Sequence, residues 1–269
     1  MLAFVHMMKT AGQTVRSILR KNFGTSHCDF LINRGAREED WLWAQKCYPQ
    51  LDSIGGHSIM PRGDFDRLFS NVRYYTFLRD PIKRCLSHYQ FLIAGGSAVD
   101  DFPDWIQTQS NYQCRFLCGE QHAEAAIEVL EQKVGFAGLV EHFDESLLLW
   151  RHWTGIENLD IGYKSVNVAK SNDLKQEILS QPRNRELLES CHEEDQKLYR
   201  YVLEEMYSSQ IEAYPGSLKA DLKAFEQQQK SASNWSWKGL LGQAKRNLKF
   251  RPGVRDWESE LRESDRKVA

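Results

Sequence analysis

The amino terminus combines an apolar strand pattern with a turn that is rich in small and hydroxyl-bearing residues. Leu2 to His6 is an apolar run, Lys9 to Thr14 reads Lys-Thr-Ala-Gly-Gln-Thr, and Val15 to Arg20 has a helical pattern. A strand that turns directly into a helix presents free backbone N–H groups and the positive end of the helix dipole to an anion. Lys9 adds a full charge, and Gly12 is small enough to let the backbone approach a phosphate closely. The segment therefore predicts a β-turn-α unit with a phosphate site at its turn.

This turn is close to a Walker A loop but differs from it in the order of its residues. Lys9 precedes Gly12, and no Lys-Ser or Lys-Thr follows a second Gly, so the pattern G-x-x-x-x-G-K-[ST] is not met. We expect the segment to bind a phosphorylated nucleotide. An ordinary β-turn-α connection with a solvated Lys9 is the alternative that the residues leave open.

A second strand-to-helix joint follows in the middle of the chain. Residues 73–78 are aromatic and apolar and predict a buried strand, and 82–92 have helical spacing. Asp80 suits the N-cap position and Pro81 the first helical position. Arg79 would then emerge at the carboxyl end of the strand, where open α/β sheets bind ligands. Ser87 follows two turns along the helix, and the alternative is again a joint with solvated arginines.

The two segments together resemble a family. The pattern His-x-x-Lys-Thr-Ala-Gly-Gln-Thr (6–14) and the pattern Arg-Asp-Pro-Ile-x-Arg-x-x-Ser-x-Tyr (79–89) are similar to motifs of the sulfotransferases related to heparan sulfate 2-O- and 6-O-sulfotransferases. The resemblance spans about Met1 to Tyr214 and continues in four further segments: Gly56-His57, Asn111 to Gly119, Val134 to Ser146, and Asp195 to Tyr199.

The resemblance implies a site for 3′-phosphoadenosine 5′-phosphosulfate (PAPS), bound as co-substrate. The residues that would hold its 5′ end are Lys9, Thr10, Ala11, Gly12, Gln13 and Thr14. The residues that would hold its 3′-phosphate are Arg79 and Ser87. Two departures from the family pattern occur in the first motif: Met8 stands where a Pro is usual, and Gln13 where many relatives have Thr.

The resemblance also implies a mechanism of in-line sulfuryl transfer to a hydroxyl. Lys9 would neutralise charge on the oxygen that leaves with the 5′-phosphate, and His57 would act as general base. His6 is the rival base because it lies beside the predicted phosphate-binding turn, Lys9 to Thr14, which we call the cradle. We expect His88 to be a helix-surface residue. No metal is expected, since Lys and Arg supply the compensating charge. The expected acceptor is a hydroxyl of a carbohydrate or related compound, with the loop at 94–97 as a lid.

Composition narrows the class of protein. At 269 residues, with 41% hydrophobic and 27% charged residues, the chain suits one α/β domain with an appendage. We expect a P-loop-like three-layer fold, with a central parallel sheet flanked by helices. A net charge of −2 argues against nucleic-acid binding, and no run of about 18 apolar residues is present to span a membrane. Most of the six cysteines are predicted to be buried thiols, and a zinc site is not expected. We therefore expect a soluble, cytoplasmic, bacterial-type member, unlike Golgi relatives, and leave open whether it forms a homodimer.

The composition changes after Pro215-Gly216. We predict a sulfotransferase domain over 1–215 and a charged, basic and aromatic extension over 216–269. Residues 234–255 contain no acidic residue but six Lys and Arg, interleaved with Trp and Leu. Such a segment suits docking on an acidic polymer, a membrane surface or a neighbouring subunit. An arm folded back on its own domain is the alternative.

Two other functions remain open at this point. One is a P-loop-type nucleotide kinase, which the missing Walker A order disfavours. The other is a non-catalytic module that binds nucleotide or polyanion, which Lys9 and His57 disfavour and the basic extension fits. Beyond the motifs, the charged periodic stretch 186–206 predicts one long surface helix.

Overall fold

The apolar run at the amino terminus forms the central strand of a parallel sheet. A computed structural model of the chain describes residues 1–30, 36, 38–63, 65–164, 172–229 and 236–253. Five strands are all parallel, in the order β2-β3-β1-β4-β5. They are β1 (Leu2–Val5), β2 (His27–Asp29), β3 (Ser53–Gly56), β4 (Arg73–Leu78) and β5 (Val134–Leu139). Because β1 has a neighbour on each side, its carboxyl end lies between the ends of β3 and β4.

Helices surround this sheet, in an arrangement consistent with three layers. They are α1 (Gly12–Phe23), α2 (Glu38–Cys47), α3 (Phe65–Leu68), α4 (Pro81–Ala94), α5 (Phe102–Gln107), α6 (Tyr112–Cys118), α7 (Ala123–Lys133), α8 (Phe143–Thr154), α9 (Asp173–Ser180), α10 (Pro182–Ser190), α11 (Glu193–Tyr201), α12 (Ser208–Glu212), α13 (Leu218–Gln229) and α14 (Trp237–Lys245). Two π-helical segments, Val202–Tyr207 and Arg246–Phe250, continue α11 and α14. The predicted α/β class with a central parallel sheet is thus confirmed.

The core is built from the apolar faces that the strand patterns predict. Phe4 on β1 stacks on Tyr75 of β4 with ring centroids 5.3 Å apart, and Phe77 packs against Phe136 of β5 at 6.0 Å. Trp150 of α8 covers Tyr75 from one side and is fully buried. Strands that are covered on both faces are expected to be almost continuously apolar, as β1 and β4 are.

The joint between β4 and α4 has the capping residues that the sequence predicts. The Asp80 carboxylate accepts a hydrogen bond of 2.8 Å from the N–H of Lys83, and Pro81 is the first helical residue. An N-cap of this kind contributes about 1 kcal/mol to helix stability. It fixes where β4 ends, and hence where Arg79 projects.

The single long helix predicted over 186–206 is wrong, because the chain turns at Cys191 and His192. α10 ends there and α11 begins at Glu193, with His192 outside helical geometry at φ −124° and ψ 20°. The first N–H groups of α11, those of Glu194 and Asp195, donate to the side-chain oxygen of Asn111. This external cap stabilises a new helix start that a charged, periodic sequence does not reveal.

The basic extension folds back on the domain in its described part, which was the alternative left open by the sequence. Arg246 pairs with Asp29 at the end of β2, with Nη1 3.2 Å from the carboxylate oxygen. Phe250 is buried against Phe30 and Tyr48. The division at 215/216 stays a prediction, and residues 230–235 and 254–269 lie outside the described residues.

None of the helices in the described ranges combines the length and the apolar character needed to cross a membrane. Four of the six cysteines are buried, in line with the prediction for most of them: Cys28, Cys47, Cys85 and Cys114. All six thiols are free, and burial raises the pKa of Cys85 to about 12.

Candidate functional site

Three of the predicted site segments meet at one edge of the sheet. The loop 6–14 follows β1, His57 follows β3, and Arg79 follows β4, and these three strands are neighbours. Because the strands are parallel, their carboxyl ends lie side by side. The motifs at 6–14, 56–57 and 79–89 thus share one surface of the molecule.

The loop after β1 has an unusual backbone. Lys9 and Ala11 adopt left-handed conformations, with φ of 68° and 60°, although neither is glycine. Such residues are strained by about 1–3 kcal/mol each and cluster at ligand sites. Ala11 occupies the N-cap of α1 without a side chain that can cap it, and no acceptor among the described residues pairs with the N–H of Gly12 or Gln13. Two uncapped N–H groups therefore sit at the positive end of α1.

Two predicted cradle residues use their polar groups within the loop itself. The buried Thr10 hydroxyl donates to the carbonyl of Met7 at 3.0 Å. The N–H of Thr14 donates to the carbonyl of Ala11 at 2.9 Å. These bonds shape the loop, so the Thr10 hydroxyl acts on the conformation of the cradle.

Gly12 has a steric role that the sequence did not show. A methyl group at this position would overlap the imidazole of His6, whose Nε2 and Cδ2 occupy the place of a Cβ. His6 is only 5% exposed and also stacks on Phe4, with ring centroids 5.2 Å apart. The missing side chain of Gly12 therefore makes room for the His6 ring under the first turn of α1.

His57 lies on the outer side of His6 and is fixed by it. The two rings stack with centroids 4.1 Å apart, and His57 Nδ1 lies 2.7 Å from the backbone carbonyl oxygen of His6. A carbonyl only accepts, so Nδ1 carries the hydrogen and Nε2 holds the lone pair in the neutral ring. Burial lowers the pKa of both imidazoles, and the charge of His57 lowers the pKa of His6 further. The hydrogen bond to the His6 carbonyl opposes the lowering of the pKa at His57 without cancelling it, so both rings are neutral near pH 7.

Lys9 stands in a cluster of positive charge. Its Nζ lies 4.3 Å above the ring centroid of Phe91 on α4. Burial lowers the pKa of Lys9, and the nearby charges of Arg79 and Lys175 lower it further. Lys175, on α9, lies far along the chain from both motifs, and no pattern in the sequence marks it as part of the site.

Arg79 is held at the site by its backbone and by its side chain. The amide of Gln113 clasps its peptide groups: Oε1 accepts from the Arg79 N–H at 3.1 Å, and Nε2 donates to the Arg79 carbonyl at 2.9 Å. The guanidinium Nη1 donates to the carbonyl of Lys9 at 3.2 Å, and Nε lies 4.0 Å from a Glu141 oxygen. Arg79 therefore connects the loop after β1 to the end of β4.

The remaining motif segments support Arg79 from behind. Glu141 accepts hydrogen bonds from the N–H of Asp80 at 3.1 Å and from the hydroxyl of Tyr199 at 2.9 Å. The buried Asp195 carboxylate caps α6 by accepting from the N–H groups of Gln113 and Cys114 at 3.0 and 2.8 Å. Segments 111–119, 134–146 and 195–199 thus meet around one arginine.

The buried Arg84 packs against the half-buried Tyr112 beneath the loop. The Arg84 guanidinium has no exposed surface and lies 4.3 Å from the ring centroid of Tyr112. The Tyr112 hydroxyl accepts a hydrogen bond of 3.3 Å from the N–H of Met8. None of the three guanidinium nitrogens of Arg84 has a hydrogen-bond partner among the described residues. The solvated Arg84 considered from sequence is therefore wrong, since this cation supports the loop through Tyr112.

His88 and Ser87 differ in exposure. The expectation of a surface His88 is wrong: it is buried, its Nδ1 lies 3.1 Å from Gln109 Oε1, and burial with the charge of Arg84 lowers its pKa to about 4. Ser87 is half-buried two turns into α4. Its hydroxyl makes no hydrogen bond to the residues that the structure describes.

Comparison with family models finds no match to this chain, and comparison with curated proteins finds none either. The described residues contain no cluster of three or more His, Cys, Asp or Glu side chains that could hold a metal ion. The motifs and their geometry are therefore the observations that bear on the function of the chain.

Proposed function

We propose that the chain is a PAPS-dependent sulfotransferase with a P-loop-like fold, which transfers a sulfuryl group to a hydroxyl of a carbohydrate or related acceptor. The observation that carries the proposal is the convergence of all the motif segments on the loop 6–14 and Arg79. These segments lie as far apart in sequence as His6 and Tyr199. A chance similarity of short motifs would not require them to contact one another.

The loop after β1 suits the 5′-phosphosulfate. Its left-handed residues turn the N–H groups of Gly12 and Gln13 outward from α1, and Lys9 adds a cation beside them. In the transfer, the acceptor oxygen bonds to sulfur while the bond from sulfur to the 5′-phosphate oxygen breaks. Lys9 and the N–H groups then stabilise the charge that grows on the departing phosphate oxygen, and a donor of this kind is worth about 3–4 kcal/mol.

Arg79 and Ser87 suit the 3′-phosphate. Nη1 of the guanidinium donates to the carbonyl of Lys9, and Nε lies 4.0 Å from the Glu141 carboxylate. These two partners hold the side chain in one position. A positioned arginine binds phosphate better than a mobile one because less rotamer entropy is lost. Lys175 adds positive charge close to Arg79.

His57 suits the base. Its Nδ1–H is held by the His6 carbonyl, so the lone pair on Nε2 accepts the proton of the acceptor hydroxyl as the new O–S bond forms. The lowered pKa keeps the imidazole ready to accept a proton near neutral pH. His6, the rival, is enclosed between Phe4, Gly12 and His57 and therefore acts on the orientation of His57.

Isothermal titration tests the proposal against a kinase. The protein is titrated with 3′-phosphoadenosine 5′-phosphate and, separately, with ATP and magnesium. We expect tight binding of the 3′-phosphorylated nucleotide and weak binding of ATP. Tighter binding of ATP with magnesium would overturn the proposal. Incubation with PAPS and mixed saccharides distinguishes an enzyme from a binding module, since only an enzyme releases 3′-phosphoadenosine 5′-phosphate in an acceptor-dependent way.

A further inference from the structure

The outward side of α14 and of the π-helical turn after it carries a stripe of apolar side chains. Trp237, Leu241 and Leu248 are 71%, 61% and 78% exposed, and Ala244 between them is also exposed. At helical spacing these four positions lie on one side. Together with Leu240, this segment holds four of the nine large exposed hydrophobic side chains that the described residues contain. The apolar surface is thus concentrated rather than scattered.

The opposite side of the same helix is fixed to the domain. The α14 backbone approaches α1 closely, since a side chain at Gly242 would overlap the carbonyl of Gly24. Lys245 donates to the carbonyl of Thr25 at 2.9 Å, and Arg246 pairs with Asp29. The helix is therefore held in one orientation, with its apolar stripe directed away from the domain.

Positive charge borders the stripe. Lys238, Lys249 and Arg251 are exposed, and no Asp or Glu occurs between 236 and 253. The sequence from 236 to 255 holds six Lys and Arg and no Asp or Glu, whereas 256–269 holds three Lys and Arg against five Asp and Glu, so the positive charge is concentrated in the segment that carries the stripe. The chain as a whole has a net charge of −2, which makes this patch distinct from the average surface.

We propose that this surface, the stripe of Trp237, Leu241 and Leu248 with its bordering cations, docks the protein on an anionic lipid surface. A helix with Trp and Leu on one side and Lys and Arg beside them lies in the interface of a bilayer, with its apolar side about 5–10 Å deep. Each cation near such a surface raises the partition coefficient about fivefold. A second copy of the chain fits less well, because a two-fold contact would bring the same basic borders together.

Vesicle flotation with the full chain tests the proposal. Vesicles of phosphatidylcholine are compared with vesicles in which part of this lipid is replaced by phosphatidylserine. We expect binding to the anionic vesicles that weakens with salt. The double variant L241Q/L248Q should bind at least about tenfold more weakly, because two apolar anchors are lost. The matched control L179Q/I211Q alters two exposed apolar residues elsewhere and should bind like the wild type.

A charge-reversed variant, K249E/R251E, measures how much the cations contribute to vesicle binding. It should lose affinity for anionic vesicles and most of the salt dependence. Circular dichroism melting of each of the three double variants should match the wild type, since all six altered residues are exposed. Equal binding of L241Q/L248Q and wild type, or equal binding to neutral and anionic vesicles, would overturn the proposal. The proposal would also be overturned if the wild type bound no vesicles but sedimented as a dimer that the L241Q/L248Q substitutions dissociate. The surface would then join two copies of the chain.

Discussion

Replacement of Gly12 by Ala tests whether the imidazole of His6 really fills the space beside this glycine. The new methyl group would overlap His6 Nε2 and Cδ2, so the ring must move away from Phe4 and His57. Overpacking of this kind destabilises a protein by about 1–3 kcal/mol, and the better helix propensity of Ala offsets at most about 1 kcal/mol. We expect G12A to lower the free energy of unfolding in urea by about 1–2 kcal/mol.

The double variant H6A/G12A tests whether the overlap with the His6 ring is the cause of this loss. If overlap with the His6 ring causes the loss of stability in G12A, removal of the ring should restore that stability. The double-mutant cycle should then show a coupling free energy of about 1–2 kcal/mol. Gly63, whose nearest neighbour to a new Cβ is the Met60 carbonyl at an ordinary 3.4 Å, provides the control G63A with a change within about 0.5 kcal/mol. Strictly additive effects of H6A and G12A would refute the steric reasoning. If the double variant recovers stability but still binds nucleotide more weakly than the wild type, Gly12 would also be needed for the backbone to approach the phosphate closely.

Three further predictions concern the base, the loop and the extension. His57→Ala should keep nucleotide affinity but lower kcat by about 10²–10⁴; in the wild type, kcat/KM should rise with pH to a plateau, with a midpoint below 6.5, because burial lowers the pKa of His57. Tyr112→Phe keeps the ring over the buried guanidinium but removes the acceptor for the N–H of Met8, so titration calorimetry should show weaker nucleotide binding with a loss of stability of only about 1 kcal/mol. Asp29→Asn should destabilise the fold by about 3–5 kcal/mol in urea unfolding, because Arg246 and its neighbours lose their buried counter-ion. The contribution of Asp29 is present above its unfolded pKa and is lost in acid as pH falls through its folded pKa, which the neighbouring His27 and arginines hold well below the ordinary value despite burial. An active His57→Ala enzyme would contradict the role of His57 as base. Unchanged nucleotide binding in Tyr112→Phe would contradict the support of the loop by Tyr112, and an Asp29→Asn protein as stable as the wild type would contradict the role of Asp29 as counter-ion.

The elements that the sequence predicted well have strong local signals. β1 and β4 are apolar runs of a length that suits buried parallel strands, and the start of α4 has both Asp80 and Pro81. β2 was missed because His27–Asp29 is short and largely polar, and its Asp29 is stabilised by distant arginines. Local patterns do not report such partners.

The residues of the candidate site were proposed from the sequence, but the contacts between them were not. Lys9 and Arg79 follow neighbouring strands, as the two predicted strand-to-helix joints suggested, and His57 follows the adjacent β3. The Gln113 clasp on Arg79 joins residues far apart in the chain, and Lys175 belongs to no motif. Such contacts depend on how helices pack over the sheet, which neither periodicity nor spacing determines.

The most direct measurement of the central claim compares two nucleotides on two proteins. Wild type and Arg79→Ala are titrated with 3′-phosphoadenosine 5′-phosphate and with adenosine 5′-phosphate, which lacks the 3′-phosphate. A hydrogen-bonded charge contributes about 1.5–3 kcal/mol, so the wild type should prefer the 3′-phosphorylated ligand by about 10- to 150-fold. Arg79→Ala should lose most of this preference while binding adenosine 5′-phosphate almost as the wild type does. Equal loss for both nucleotides, or a wild type without preference, would contradict a site built to recognise PAPS.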